Sequence, residues 1–157
     1  MRFIEGNLTE KLDSRFAVIV SRFNEIVTDR LLKGALETFK DNNITQDSVD
    51  VFKVPGAFEL PYAADRIAET GKYDAIVALG AVIRGETPHF EYVSSAATNG
   101  ILEVSLKYKL PVIFGVLTTE NIEQAMSRSG KTNNKGTDCV LAALEMVSLT
   151  KQIIKIT

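Results

Sequence analysis

A chain of 157 residues, 45% hydrophobic and 24% charged, is long enough to bury the core of one ordinary domain, residues 1–157. A formal net charge of -2 and a pI near 5.5 give no basic stripe for nucleic acid and no lysine-rich face for a membrane surface, and no apolar run reaches the roughly 20 residues that span a bilayer. One cysteine, Cys139, and one histidine, His89, leave no material for a disulfide framework or a dedicated metal site, and the polar start MRFIEGNLTEKLD does not resemble a signal peptide, so a reduced, cytoplasmic setting is expected.

In chain order, FAVIVS (16–21) is a continuous apolar run, as in a strand covered on both faces. Val27, Leu31, Ala35 and Phe39 follow at helical spacing, with Asp29, Arg30, Lys33 and Glu37 on other faces. The polar loop DNNITQDS leads to VDVFKV (49–54), which Pro55 and Gly56 cut off. Pro61 suits the first turn of a helix over LPYAADRIAETG, and Gly71 suits its stop. DAIVALGAVI is a third strand. Phe90, Val93, Ala97, Ile101, Val104 and Tyr108 then mark one helix face. LPVIFGVLT is a fourth strand, NIEQAMSRS a short helix, SGKTNNKG a break expected to be flexible, and Val140, Ala143, Leu144 and Val147 a last helix. Strands alternating with helices predict parallel pairing through right-handed crossovers. The expected fold class is α/β: a three-layer sandwich, flavodoxin-like, with a four-stranded parallel sheet and helices on both faces. The first 13 residues precede the core, and pairing with a neighbouring subunit is open to them.

Ligands in open parallel sheets bind beyond the carboxyl ends of the strands, where four connections should meet. Phe23 and Phe58 lie in such connections, outside the periodic faces. Either they stack on a flat heterocycle or they staple onto the following helices. In Arg84-Gly85-Glu86-Thr87-Pro88, Thr87 suits an N-cap and Pro88 a first helical residue. Gly85 allows close backbone approach, and open amides with the helix dipole favour an anion, to which Arg84 adds charge. His89 would be the second helical residue. The dipole disfavours imidazolium there and a bound phosphate favours it, which suits proton transfer; a lone surface histidine is the plainer reading. Glu59 either accepts from ligand hydroxyls or complements a helix dipole. Arg128, Lys131 and Lys135 surround the break, either as solvated loop charges or as a site reaching a neighbouring subunit. Cys139 reads as a small core residue.

FAVIVSRFN, VPGAFELP, GAVIRGETPHFEYV, PVIFGVLTTENIEQA and the closing NKG-helix together resemble the lumazine synthase family over nearly the whole chain. The resemblance implies condensation of 5-amino-6-(D-ribitylamino)uracil with 3,4-dihydroxy-2-butanone 4-phosphate to 6,7-dimethyl-8-ribityllumazine. Phosphate and water are released, in riboflavin biosynthesis, without metal or cofactor. It implies that Phe23 stacks on the pyrimidine, that Ala57, Phe58 and Glu59 hold the uracil and ribityl chain, and that Ala81, Val82 and Ile83 line the pocket. Glu86 and Thr87 would bind the phosphate, and His89 would be the acid and base. It also implies a homo-oligomer, a pentamer with intersubunit sites, in which the neighbour supplies Phe114, Arg128 and Lys135. Closure into an icosahedral 60-mer and association with riboflavin synthase stay open. Two departures stand out: Glu86 replaces a small residue, and the break reads SGKTNNKG where GTKAGNKG is frequent. A non-catalytic flavin-binding or shell-forming protein would use the same fold, and archaeal-type riboflavin synthase shares it without the GAVIRGETPHF stretch.

Overall fold

The computed structural model describes residues 1–8 and 13–156. Strand β1 (Phe16–Ser21) leads to helix α1 (Glu25–Asp41), then β2 (Val49–Val54), α2 (Leu60–Glu69), β3 (Ala75–Ile83), α3 (His89–Tyr108), β4 (Val112–Thr119), α4 (Ile122–Ser127) and α5 (Lys135–Ile154). The four strands form one sheet in the order β2-β1-β3-β4, all pairs parallel. This is the three-layer α/β arrangement expected from the alternation of apolar runs and helical periods.

Alternation along β1 divides the core into two layers. Phe16, Val18 and Val20 face α1 and α5, whereas Ala17 and Ile19 face α2 and α3. All five are 0–2% exposed, because a central parallel strand is covered on both sides. Leu31 and Phe39 of α1 and Val140, Ala143 and Leu144 of α5 close the first layer, and the Phe16 and Phe39 rings meet at 5.0 Å. Leu60, Ala64 and Ile101 close the second. Helix α2 stops at Glu69 with Gly71 just beyond at φ 64, the left-handed conformation in which glycine carries no Cβ penalty.

Glycine also lets α5 approach α1. A Cβ on Gly136 would lie 2.0 Å from the Leu31 carbonyl oxygen, and one on Gly34 would lie 2.6 Å from the Asn134 side chain. The N-terminal segment runs along α5 of its own chain: the Asn7 amide donates to Ser148 Oγ at 3.0 Å, and Gln152 Nε2 donates to the Glu5 carbonyl at 2.7 Å. Residues 9–12 of that segment lie outside the described residues. No described helix is long and apolar enough to cross a membrane.

The register brings the functional connections to one edge. Ser21 pairs with Val54 and Ile83 with Thr119, so the strands end together and their following turns share one rim. The chain leaves β1 for β2 on one side, then returns to β3 on the other. The β1–β3 junction is therefore the topological switch point, where α/β sheets open a crevice.

Candidate active site

A cavity of about 180 Å³ opens at this switch point. Its floor is apolar: Ala57, Ala81 and Val82 are 3–8% exposed, and Ile83 is half-buried. Phe23 and Asn24 wall it from the β1–α1 turn, and Gly85, Thr87, His89, Phe90 and Val93 from the β3–α3 turn and the first turns of α3. A wider groove of about 500 Å³ continues outward, lined by Phe23, Phe58, Glu59, His89 and Tyr92 among others.

The β1–α1 turn is stitched across the sheet edge. The Arg22 amide donates to the Val54 carbonyl at 2.8 Å, and the Phe23 amide to the Pro55 carbonyl at 3.0 Å. Asn24 sits at φ 63, and its Nδ2 donates to the Ala81 carbonyl at 2.8 Å. Asparagine is among the few residues that enter the left-handed region readily, and the side-chain bond holds it there. Phe23 is thereby left 72% exposed, and Phe58, in a single 3₁₀ turn over Ala57–Glu59, is 60% exposed. Neither ring is stapled onto a helix; both present apolar faces to the groove.

The β3–α3 turn departs from expectation in two ways. Helix α3 begins at His89 rather than Pro88. Pro88 occupies the cap position at ψ 0, short of helical, and Thr87 Oγ1 accepts only a long 3.5 Å contact from the His89 amide. His89 is thus the first helical residue, exposed at the mouth of the cavity. Arg84, expected to add charge to the anion seat, is already engaged. Its guanidinium bonds Glu91 of α3, donates through Nε to Glu120 of the β4–α4 turn at 2.7 Å, and lies 4.3 Å over the Phe90 ring. The hydrogen bond that Arg84 donates to Glu91, then that to Glu120, holds the guanidinium charged, and Arg84 in turn holds the Glu91 carboxyl below its usual range. Arg84 ties three pieces of backbone together and its charge is spent internally. The turn itself keeps the anion-seat geometry: the Gly85 and Glu86 amides have no hydrogen-bond partner among the described residues. No atom lies within 4 Å of a Cβ placed on Gly85, and the Glu86 side chain is exposed and lines neither space.

A second cavity, about 450 Å³, lies past the end of β4. Val116–Thr119 form one wall; Ser127, Arg128, Asn133, Lys135 and Asp138 form the other. The break, whose charges the sequence left either solvated or reaching a neighbouring subunit, folds against β4 of its own chain. Nor is it loose: Ser129 and Asn134 pair as an antiparallel bridge, and the Lys135 amide donates to the Arg128 carbonyl at 2.9 Å. Lys135 is the first residue of α5. Arg128 has no carboxylate within salt-bridge distance among the described residues; its NH1 donates to the Gln124 carbonyl at 3.1 Å and lies 3.5 Å from Ser127 Oγ. Lys131 faces a third cavity with Arg30 and Lys33. The first two cavities share no lining residue. Phe114 lies between neither: it is half-buried on edge strand β4, packed toward α2 and α3.

Cys139 is buried, and desolvation pushes its thiol up to about 11, so it stays protonated near neutral pH and offers no nucleophile. Among the described residues no three His, Cys, Asp or Glu side chains converge as metal ligands. Asn24, Phe90, Tyr92 and Val93 also line the cavity or groove; the sequence pattern marked Phe90 and Val93 only as a helix face and gave none of the four a site role. The strand-end position of Asn24 was the available signal for that residue.

A four-stranded parallel sheet with an aromatic, histidine-bearing crevice at its switch point defines a flavodoxin-like protein built to take a small molecule. Comparison with known proteins narrows this. Residues 13–151 match the family of 6,7-dimethyl-8-ribityllumazine synthase. A protein of that name from Desulfatibacillum aliphaticivorans is 52% identical, with 96% of this chain and 97% of that protein covered. Proteins of the same name from Helicobacter pylori (strain HPAG1) and Nautilia profundicola are 50% and 49% identical, with 98% of this chain covered and 99% and 100% of theirs. The chain belongs to the 6,7-dimethyl-8-ribityllumazine synthase family.

Proposed function

We propose that this chain is a transferase of riboflavin biosynthesis that condenses 5-amino-6-(D-ribitylamino)uracil with 3,4-dihydroxy-2-butanone 4-phosphate. The products are 6,7-dimethyl-8-ribityllumazine, phosphate and water. The observation that carries the reading is the switch-point cavity, where exposed aromatic rings, an unfilled amide seat and the one imidazole of the chain meet.

Each part of the reaction then has a group suited to it. Phe23 stacks on the pyrimidine, and Ala57, Phe58 and Glu59 hold the uracil and its ribityl chain across the groove. Ala81, Val82 and Ile83 shape the dry floor. The Gly85–Thr87 turn takes the phosphate on backbone amides and the Thr87 hydroxyl, with the Glu86 side chain out in solvent. The substrate supplies its own amine, so the protein needs no nucleophile and Cys139 stays uninvolved. The amine adds to the ketone carbonyl and water leaves as the C=N bond forms; elimination of phosphate leaves an enol that becomes a second ketone, and the ribitylamino nitrogen closes the ring on it with loss of a second water. These steps need proton transfer and a place for the departing anion. His89, at the cavity mouth, gives and takes those protons.

The site is shared between copies. Among the described residues, its own chain brings no uncompensated cation into the switch-point cavity. Arg128 and Lys135 stand in a separate cavity against edge strand β4, the strand that also carries half-buried Phe114. A neighbouring copy that presents this edge to the switch point supplies all three. A homopentamer provides five such sites, in the cytoplasm; closure into a 60-mer and association with riboflavin synthase are outcomes that particle size will decide.

The test mixes purified protein with both substrates and follows the fluorescence of the lumazine. A rate above the slow uncatalysed background is expected. Protein that is yellow with bound flavin yet inert toward both substrates would overturn the reading.

A further inference from the structure

Asn134 occupies the N-cap of α5 and is 8% exposed. A side-chain amide has two donor hydrogens and a carbonyl oxygen with two lone pairs, and here all four are used. Oδ1 accepts from the Gly136 amide at 2.8 Å and the Thr137 amide at 3.4 Å; Nδ2 donates to the Arg30 and Gly130 carbonyls, both at 3.1 Å. The acceptor half is an ordinary helix cap. The donor half does something different: it fastens the break to α1. Arg30 completes the fastening from the other side, its Nε donating to the Ser129 carbonyl at 2.9 Å. Gly34 leaves the space that the Asn134 amide fills. Arg128 is the residue just before Ser129, and its carbonyl receives the Lys135 amide next to Asn134. Arg128, which has no carboxylate within salt-bridge distance among the described residues, is therefore held by a buried amide it does not touch.

We propose that Asn134 is a positioning residue for Arg128. Its bond to the Arg30 carbonyl fixes the α4–α5 break on α1, and its bond to the Gly130 carbonyl closes the break on itself, so that the guanidinium stands where the phosphate of a substrate in the adjoining copy will lie. This rests on the reading of Arg128 as the phosphate's cationic partner. A purely structural cap predicts lost stability when Asn134 is changed. A positioning role predicts a selective loss: the KM for the four-carbon sugar phosphate rises while kcat and the KM for the pyrimidine hold.

The experiment uses the assembled enzyme and Asn134→Ser, which keeps an N-cap oxygen and removes both donors. The expected KM for the sugar phosphate is about tenfold above wild type, as when one charge-assisted contact is misplaced, with the pyrimidine KM within about twofold. Because Asn134 acts through Arg128, the double variant with Arg128→Ala should be no worse than Arg128→Ala alone. Arg30→Met, which leaves Asn134 intact and cuts the Nε bond, should shift the same constant in the same direction. It carries the test if Asn134→Ser does not fold. Losses that add in the double variant, or an unchanged sugar-phosphate KM in a folded Asn134→Ser or Arg30→Met enzyme, overturn the inference while Arg128→Ala still raises that KM. If Arg128→Ala leaves it unchanged, the clamp reading itself fails.

Discussion

Arg84 and Arg128 both stand beyond the carboxyl ends of the strands, and they are in opposite electrostatic states. Arg84 lies beside the switch-point cavity, with Glu91 and Glu120 on its guanidinium and Phe90 beneath it. Arg128 lies at the β4 edge and, among the described residues, has only a backbone carbonyl and a hydroxyl as hydrogen-bond partners. A paired guanidinium has little charge left for a ligand, and its pairs are exposed ones that contribute modestly to stability. An unpaired one, pinned by its backbone, is ready to meet an anion at small further entropic cost. The nearer arginine therefore serves the shape of the cavity wall, and the farther one is suited to binding. Proximity in sequence to His89 suggests the reverse assignment.

The hardest way to break this comparison is to remove the imidazole that lines the switch-point cavity. His89→Ala should lower kcat by about 10²–10⁴-fold, the usual range for a general acid and base, with smaller changes in either KM. Steady-state kinetics on both substrates will check it, and an unchanged kcat would remove His89 from the mechanism. Next comes Arg128. Arg128→Ala should raise the sugar-phosphate KM roughly 10–100-fold, the scale of a lost charge-assisted hydrogen bond. The aromatic wall ranks third: Phe23→Ala should raise the pyrimidine KM about threefold to tenfold through lost stacking, and Phe23→Tyr should recover most of it. Arg84→Ala sharpens the contrast by being mild, with a sugar-phosphate KM within about twofold of wild type and kcat lowered as Phe90 and the His89 turn loosen. A large KM effect there would place Arg84 in the anion site after all.

The smallest effect is one of pH. The Tyr73 hydroxyl, 2.8 Å from Asp50 Oδ2, and then Arg15 hold the Asp50 carboxyl below its usual range. A carboxyl depressed on folding stabilises the fold above its unfolded pKa and loses that contribution as pH falls through the folded value. Thermal stability should thus decline on acidification through and below the ordinary carboxylate range, and Asp50→Asn should flatten that decline. The same slope in both proteins would show that Asp50 is not among the groups responsible.

Local pattern alone determined much of this protein. Apolar runs bounded by Pro55, Gly56 and polar turns marked the strands, and spacing of three and four marked the buried helix faces, because each periodicity follows from backbone geometry that needs no tertiary partner. Strand ends in a parallel sheet point to one rim, so the connections at Phe23, Phe58 and His89 were legible as neighbours before any contact was known. Tertiary structure decided the charges and the caps. Nothing local says that Glu91 and Glu120 converge on Arg84, since Glu120 reaches it only through the β3–β4 register. Pro88 suits a first helical turn by its fixed φ, yet its ψ follows from how the turn leaves β3. The break reads as a mobile run of Gly, Asn and Lys until α1 is in place. Only then do the Arg30 carbonyl and the space over Gly34 give the Asn134 amide something to hold. Periodicity is a property of the chain, whereas the pairing of a charge or the satisfaction of a buried amide is a property of what another segment brings to it.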